Sequence, residues 1–198
     1  MGMDISGLNP TIISDQPVFP QDWTELSQKA KDCYNELDKE YHDENPGVYF
    51  RANIWAWRPI HLAIIMANEL HHLGISPDIL DGMGYNSGHG LATQEECDGL
   101  AEALADMVEN MREKNVTKFG FNMGSWVDRG DVRKEISEEE ITALNLLYPR
   151  GELITKFPVE FKDDDKAMRK IYPSHVVSVD HVEEFILFLS NCGGFEIY

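Results

Sequence analysis

Apolar residues recur at three- and four-residue spacing in four stretches of the chain, which is the pattern of helices with one buried face. The first two stretches cover residues 22–41 and 59–73, and Pro59 falls where the first turn of the second helix is expected. The third covers residues 93–114 and the last covers residues 182–189. We therefore expect amphipathic helices in the first three places and a strongly apolar helix in the last.

Three pairs of residues have the spacing of helix N-terminal caps, in which a short polar residue is followed three positions later by glutamate. The pairs are Thr93 with Glu96, Ser137 with Glu140, and Asp180 with Glu183. The first and last pairs predict where the third and fourth helices begin. The middle pair predicts a further short helix, which Pro149 would end.

Four short segments have the composition of strands or extended pieces. They cover residues 116–121, 153–161, 175–179 and 195–198. Helices and strands together predict the α+β class, a helix-rich single domain with a small sheet. No repeat or linker marks a boundary, so residues 1–198 are expected to form one domain.

The charge is strongly acidic, with 35 Asp and Glu against 17 Lys and Arg and a formal net charge of −18 at pH 7. This balance disfavours direct binding to nucleic acid or to anionic membranes, because both depend on Lys and Arg next to phosphates. No stretch approaches the roughly 20 apolar residues of a membrane-spanning helix. The charge is compatible with a basic protein surface as partner, and also with a simple role in solubility.

The three cysteines, Cys33, Cys97 and Cys192, are widely spaced and form no metal-binding pair along the sequence. Free thiols are typical of a reducing compartment. Residues 1–10 lack the basic and apolar regions of a secretory signal. The sequence therefore predicts a cytoplasmic protein.

Acidic residues dominate the long stretch between Arg58 and Arg112, which contains no Lys or Arg. On the third predicted helix, six of them follow one another at spacings of three or four and form one stripe, which we call the acidic ladder. Its members are Glu95, Asp98, Glu102, Asp106, Glu109 and Glu113. Like charges at this spacing cost a helix a few tenths of a kcal/mol per pair. The ladder is either a binding surface for a basic partner or a solvated helix face.

Two Trp and two Arg lie close together in the run Tyr-Phe-Arg-Ala-Asn-Ile-Trp-Ala-Trp-Arg-Pro, residues 49–59. If the run is extended, alternation places four side chains on one side. They are Arg51, Asn53, Trp55 and Trp57. With Arg58 they could bind a small anionic or aromatic ligand, or the aromatics could pack in the core while the arginines pair with acids.

Residues 81–90 are rich in glycine and predict a tight loop. Its backbone amides could hold an anion, with Asn86 and His89 adding polar side chains. The loop lacks the Gly-Lys-Ser/Thr of a Walker A motif and the third glycine of GxGxxG. A structural connector is the other interpretation.

No catalytic residue and no cofactor is predicted, since the sequence contains no GxSxG, no HExxH and no Cys-His nucleophile arrangement. Whether the protein is an enzyme is left open, with a non-catalytic role favoured. His61 and His72 lie about 16 Å apart along one helix and cannot share an ion. Glu69 and His72 would need a second such pair to form a carboxylate metal site. No metal site is therefore predicted.

Three segments carry a resemblance to an uncharacterised family of phage and bacterial proteins. They are residues 7–10 (Gly-Leu-Asn-Pro), residues 49–59 with the pattern Phe-Arg-x-Asn-x-Trp-x-Trp-Arg-Pro, and residues 192–197 (Cys-Gly-Gly-Phe-Glu-Ile). The chain departs from the family where Ala56 stands in place of a further Trp. The resemblance implies a phage or prophage setting, in which small acidic proteins often inhibit or modulate host machinery.

Two hypotheses follow from these patterns. In the first, the protein is a non-catalytic binding protein whose acidic ladder engages a basic surface of a host macromolecule. In the second, it binds or transforms a small nucleotide-like or anionic ligand. The ligand-binding residues would then be Arg51, Asn53, Trp55, Trp57, Arg58, Asn86 and His89.

Overall fold

A computed structural model of the chain describes residues 2–121, 126–129, 132–135, 159–162, 168–171 and 175–198. Five helices lie within these ranges: α1 (Gln28–Glu44), α2 (Ile54–His71), α3 (Pro77–Met83), α4 (Gln94–Glu113) and α5 (Val179–Leu189). Together with short antiparallel strands they confirm the helix-rich α+β class.

The sheet nearest the core is antiparallel and has three strands, with β1 (Gly2–Gly7) between β2 (Tyr49–Asn53) and β9 (Phe195–Ile197). The other described strands form antiparallel pairs. They are β3 (Lys118–Phe121) with β8 (His175–Ser178), β4 (Trp126–Arg129) with β5 (Val132–Glu135), and β6 (Val159–Lys162) with β7 (Met168–Ile171).

The core lies where the three-stranded sheet meets the helices. Alternate sheet residues are buried, as the two-residue period of a strand requires, and they pack with residues of α2, α4 and α5. The largest fully buried side chains include Met3, Ile5, Trp57, Leu100, Leu104, Phe185, Phe188 and Phe195. Because α4 packs on both α2 and α5, its position is held from two sides.

The start of α1 was predicted six residues too early. The helix begins at Gln28, because the side chain of Ser27 accepts a hydrogen bond from the Ala30 amide and caps it. Trp23 precedes the helix but its ring packs edge-on against Tyr34, with centroids 5.5 Å apart. Trp23 is therefore apolar because it packs on the helix from outside, and its position matches the helical spacing without belonging to α1.

The start of α2 was predicted too late. Asn53 ends β2 and also caps α2, since its Oδ1 accepts from the Ala56 amide at 2.9 Å. Pro59 therefore lies inside the helix rather than in its first turn. The run over residues 49–59 is strand up to Asn53 and helix from Ile54, so it is not extended throughout, and the condition for four of its side chains to share one face is not met.

The capping predictions had mixed outcomes. The box formed by Thr93 and Glu96 is present at the start of α4, whereas Ser178 rather than Asp180 caps α5, with its Oγ accepting from the His181 amide at 3.2 Å. The strands predicted near residues 116–121, 175–179 and 195–198 are confirmed as β3, β8 and β9. The pair Ser137 and Glu140, Pro149 and residues 153–158 lie outside the described residues.

Replacing Gly99 with alanine is expected to stabilise the protein. Gly99 lies inside α4, and an added Cβ would meet nothing closer than Leu73 Cδ2 at 3.9 Å. The substitution should raise the free energy of unfolding by about 0.5–1 kcal/mol, measured by urea denaturation. The reverse change at exposed Ala105 in the same helix is the matched control and should lower it by a similar amount. A loss of stability in Gly99→Ala would contradict this packing.

Candidate functional site

Helix α4 is amphipathic over its whole length, and one face is committed to the core. Cys97, Leu100, Ala101, Ala103, Leu104 and Val108 are buried on this face. At the N-terminus, the Thr93 hydroxyl accepts from the Glu96 amide at 3.2 Å, and Glu96 Oε2 accepts from the Thr93 amide at 3.1 Å. The cap and the buried face together fix which side chains point outward.

All six residues of the acidic ladder are exposed. Over the described residues, none of the six carboxylates has a Lys, Arg or His partner within 4.0 Å. The single basic residue of α4, Arg112, points to α5, where its guanidinium pairs with Glu183 Oε2 at 2.8 Å and with Asp180. The negative charge of the ladder is therefore left without internal compensation on this helix.

The N-terminal half of the ladder borders a shallow groove between α4 and α5, with a volume of about 280 Å³. It is lined by Asp98, Ala101, Glu102, Ala105, Ile186 and Ser190. The lining thus combines two carboxylates and two alanines of α4 with Ile186 of α5 and Ser190, which caps the end of α5. A groove of this kind can accept the aliphatic part of a long basic side chain next to its charged end.

The C-terminal half of the ladder borders a second depression of about 180 Å³, lined by Asp106, Glu109, Asn110 and Glu113. All four of these residues are polar and belong to α4. From Glu95 to Glu113 the ladder extends along about 27 Å of helix. This second depression is therefore a gap between neighbouring side chains of one helix, and only the groove shared with α5 is formed by two elements.

One carboxylate of the groove is held in place by the C-terminal segment. Gln94 Nε2 donates to Asp98 Oδ1 at 2.6 Å and to the Leu189 carbonyl at 2.9 Å, while Gln94 Oε1 accepts from the Gly193 amide at 2.6 Å. This clamp ties the first turn of α4 to the end of α5. The acidic edge of the groove is therefore preorganised, which lowers the entropy cost of binding.

The residues of the Trp/Arg run are directed to different parts of the structure. Arg51 lies on the outer face of β2, where its Nε is 3.4 Å from Asp4 Oδ1. Trp57 is fully buried, and its Nε1 donates to the Met83 carbonyl at 2.8 Å. Trp55 is 55% exposed and packs against His175, with ring centroids 4.9 Å apart. Asn53 serves as the cap of α2.

Arg58 is the one member of the predicted ligand set that lines a described cleft, a depression of about 310 Å³ between α2 and α3. Its Nη1 donates to Nε2 of the buried His175 at 2.9 Å, which places the imidazole proton on Nδ1. Burial, and then the Arg58 cation, lower the pKa of His175. The remaining lining residues are His61, Leu62, Ile65, Asp81, Gly84 and Tyr85.

The glycine-rich segment is held against the sheet and the helices. Its first three residues belong to α3 and not to the predicted loop. The Gly88 amide donates to the Ile197 carbonyl at 2.8 Å, and Asn86 Nδ2 donates to the Gly2 carbonyl at 3.4 Å. His89 packs on Gly82, where an added Cβ would be 2.2 Å from the His89 ring. These contacts fit a structural connector better than an open anion cradle.

The seven predicted ligand residues therefore do not meet in one pocket. The end of α3 does pack against the motif, as the bond from Trp57 to the Met83 carbonyl shows, but that bond is internal to the core. Sequence reasoning missed α3 and with it His61, Asp81 and Tyr85 as cleft residues. The sequence does contain the pattern of a helix start at this point, because Ser76 caps α3 and Pro77 occupies its first position.

The described residues contain no group of three or more His, Cys, Asp or Glu side chains placed to hold a metal ion. None of the described helices combines the length and the apolar character needed to cross a bilayer. Comparison of the chain with protein-family models, curated proteins and solved structures found no match.

Proposed function

We propose that this protein is a non-catalytic binding protein whose acidic ladder on α4 engages a basic surface of a host macromolecule in the cytoplasm. The observation that carries the proposal is the groove between α4 and α5, which is lined by the carboxylates of Asp98 and Glu102 together with apolar Ala101, Ala105 and Ile186. The phage or prophage setting implied by the resemblance would make that partner part of the host machinery. The sense of the effect, inhibition or modulation, follows from the partner.

The groove suits a lysine or arginine side chain. The methylene groups of the partner's side chain would lie on Ala101, Ala105 and Ile186, and the charged end of that side chain would reach a carboxylate on α4. Such a contact removes apolar surface from water and pairs a charge at the same time. A solvated helix face without a groove offers the charge pairing but not the burial of apolar surface.

The rest of the ladder would act over a longer range. Its carboxylates recur about every 5–6 Å along the helix, so a row of basic residues on a partner could meet several of them at once. Rows of complementary charge speed association and discriminate against partners of the wrong sign. Binding of this kind weakens as salt screens the charges.

The experiment compares three tagged proteins in affinity capture from a nuclease-treated lysate, with mass spectrometry of the bound proteins. The ladder variant carries Asp98→Asn, Glu102→Gln and Asp106→Asn. The matched control carries Glu36→Gln, Glu40→Gln and Asp43→Asn, three exposed acids on α1 with the same total charge change. The wild type and the control should capture the same basic protein, and the ladder variant should lose it.

Raising the salt concentration should release this protein from the wild type, because the distance over which exposed charges interact falls from about 8 Å at physiological ionic strength to about 3 Å at 1 M salt. Circular dichroism and thermal unfolding of the three proteins check that each is folded. Equal capture by the ladder variant and the wild type would contradict the proposal. Equal loss from both triple variants would show that net charge, rather than the ladder, is responsible.

A further inference from the structure

Two of the three free cysteines meet in the core. Cys97 and Cys192 are both fully buried, and their sulfur atoms are 3.5 Å apart although the residues are 95 positions apart in the chain. Cys33 is exposed on α1 and takes no part in this contact. The sequence predicted three unpaired thiols, and nothing in their spacing indicated that two of them are neighbours.

The fold positions this pair from both sides. Cys97 lies one turn into α4, and Cys192 lies in the turn that follows α5. The Gln94 clamp joins these two segments next to the sulfurs. After Cys192 the chain turns sharply through Gly193 and Gly194, which have φ of 65° and 98°, and the Phe195 amide then bonds to the Leu91 carbonyl. The contact is therefore part of the docking of the C-terminal segment on α4.

We propose that Cys97 and Cys192 are a site of reversible covalent modification, and that they close to an intramolecular disulfide when the protein meets hydrogen peroxide. A disulfide needs its sulfurs about 2.05 Å apart, so the pair must approach by about 1.5 Å. Side-chain rotation and a small shift of the C-terminal turn can supply that movement. The proposal does not depend on what the acidic ladder binds.

The reaction has two steps and transfers two electrons to one peroxide molecule. The Cys192 thiolate attacks a peroxide oxygen, the O–O bond breaks, and Cys192 becomes a sulfenic acid while the departing hydroxide takes a proton to form water. The Cys97 sulfur then attacks the Cys192 sulfur. The S–O bond breaks, the S–S bond forms, and the hydroxyl leaves as water with the Cys97 proton. A dithiol reductant restores both thiols by exchange.

Hydrogen bonding around the pair favours Cys192 as the attacking group. In the resting pair the Cys192 thiol donates, with Cys97 Sγ at 3.5 Å and the Leu189 carbonyl at 3.4 Å. When Cys192 is ionised, the Cys97 thiol donates to it instead and lowers the pKa of Cys192. The same contact, together with burial, raises the pKa of Cys97 well above its ordinary value. A resolving thiol already in contact with the sulfenic sulfur favours the disulfide over further oxidation.

Metal binding fits the pair less well. Structural zinc sites take four ligands, and the described residues offer no third His, Cys, Asp or Glu around these sulfurs. Because Cys192 is fully buried, peroxide reaches it only when the structure opens locally. We therefore expect the buried pair to react more slowly than exposed Cys33.

The test uses the full chain with Cys33→Ser, so that intermolecular disulfides through Cys33 do not interfere. The protein is treated with hydrogen peroxide, quenched, denatured and alkylated with a maleimide without reductant. The expected product has lost two hydrogens and carries no maleimide, and its digest contains a peptide linking Cys97 to Cys192. Dithiothreitol should restore two alkylatable thiols. The oxidised protein should also unfold at a temperature about 5 °C or more above that of the reduced protein.

Wild-type protein is treated in parallel as a reference for the peroxide treatment, because oxidation of its exposed Cys33 shows that the peroxide was active. If Cys97 and Cys192 both remain alkylatable at about ten times the peroxide concentration that oxidises Cys33, the proposal is wrong. It is also wrong if the two are oxidised separately to sulfinic acids with no linked peptide. Addition of Cys97→Ser should leave a sulfenic acid on Cys192 that dimedone traps, and the absence of this adduct would contradict the attack by Cys192.

Discussion

Replacing Trp57 with alanine is expected to lower the free energy of unfolding by about 3–5 kcal/mol, measured by urea denaturation. The side chain is fully buried and packs edge-on against Phe185, with centroids 5.6 Å apart. Its removal leaves a cavity beside the aromatic core and also leaves the Met83 carbonyl without its 2.8 Å donor. Both the lost packing and the lost hydrogen bond lie in the buried core, away from solvent.

The control is Trp55→Ala, which changes the same residue type two positions earlier in the same helix. Trp55 is 55% exposed and packs mainly on His175, so this change should cost about 1 kcal/mol or less. Trp57→Phe separates the two causes, because it keeps much of the packing and leaves the Met83 carbonyl unpaired, for about 1–3 kcal/mol. Similar losses for Trp55→Ala and Trp57→Ala would contradict the placement of α2.

Replacing Gly90 with alanine is expected to lower the free energy of unfolding by about 2–4 kcal/mol, because the added methyl group meets rigid backbone. The new Cβ would be 1.8 Å from the Phe195 carbonyl oxygen. Phe195 belongs to β9 and is itself fixed by the bond from its amide to the Leu91 carbonyl at 2.8 Å. The chain can relieve the contact only by separating the loop from the sheet.

Gly88→Ala is the matched control for this prediction. Gly88 has a φ of 74° but open space around its Cα, so alanine there pays only the strain of a left-handed backbone, about 1–2 kcal/mol. Thermal unfolding of both variants measures the difference. A milder effect at Gly90 than at Gly88 would show that the loop does not dock on β9 as described.

The long acidic helix could be predicted well from the sequence, because its information is local. The capping box and the apolar spacing are contained within α4, and they correctly placed Glu95 and Glu113 on the exposed face. The α+β class was also predictable, since caps, apolar spacing and turn residues are all local signals. For the same reason β3, β8 and β9 were found within a few residues.

The features that the sequence did not reveal depend on distant parts of the chain. Whether Trp57 points into the core depends on where α2 begins, and Asn53 decides that by capping the helix directly after β2. The groove exists because α5 lies beside α4, which a pattern within either helix cannot show. The contact between Cys97 and Cys192 joins segments 95 residues apart. In each case tertiary packing overrides or adds to the local pattern.

The central claim is that the ladder on α4, rather than acidity in general, binds the partner. Its most direct test is the dissociation constant of the captured basic protein, measured for the wild type, the ladder variant and the α1 control at two salt concentrations. Three exposed charge pairs are worth about 0.6–3 kcal/mol in total, so the ladder variant should bind about 3- to 150-fold more weakly at low salt. The control should have the same dissociation constant as the wild type. The difference in dissociation constant between the ladder variant and the wild type should become smaller at high salt. Equal dissociation constants for the ladder variant and the control would contradict the claim.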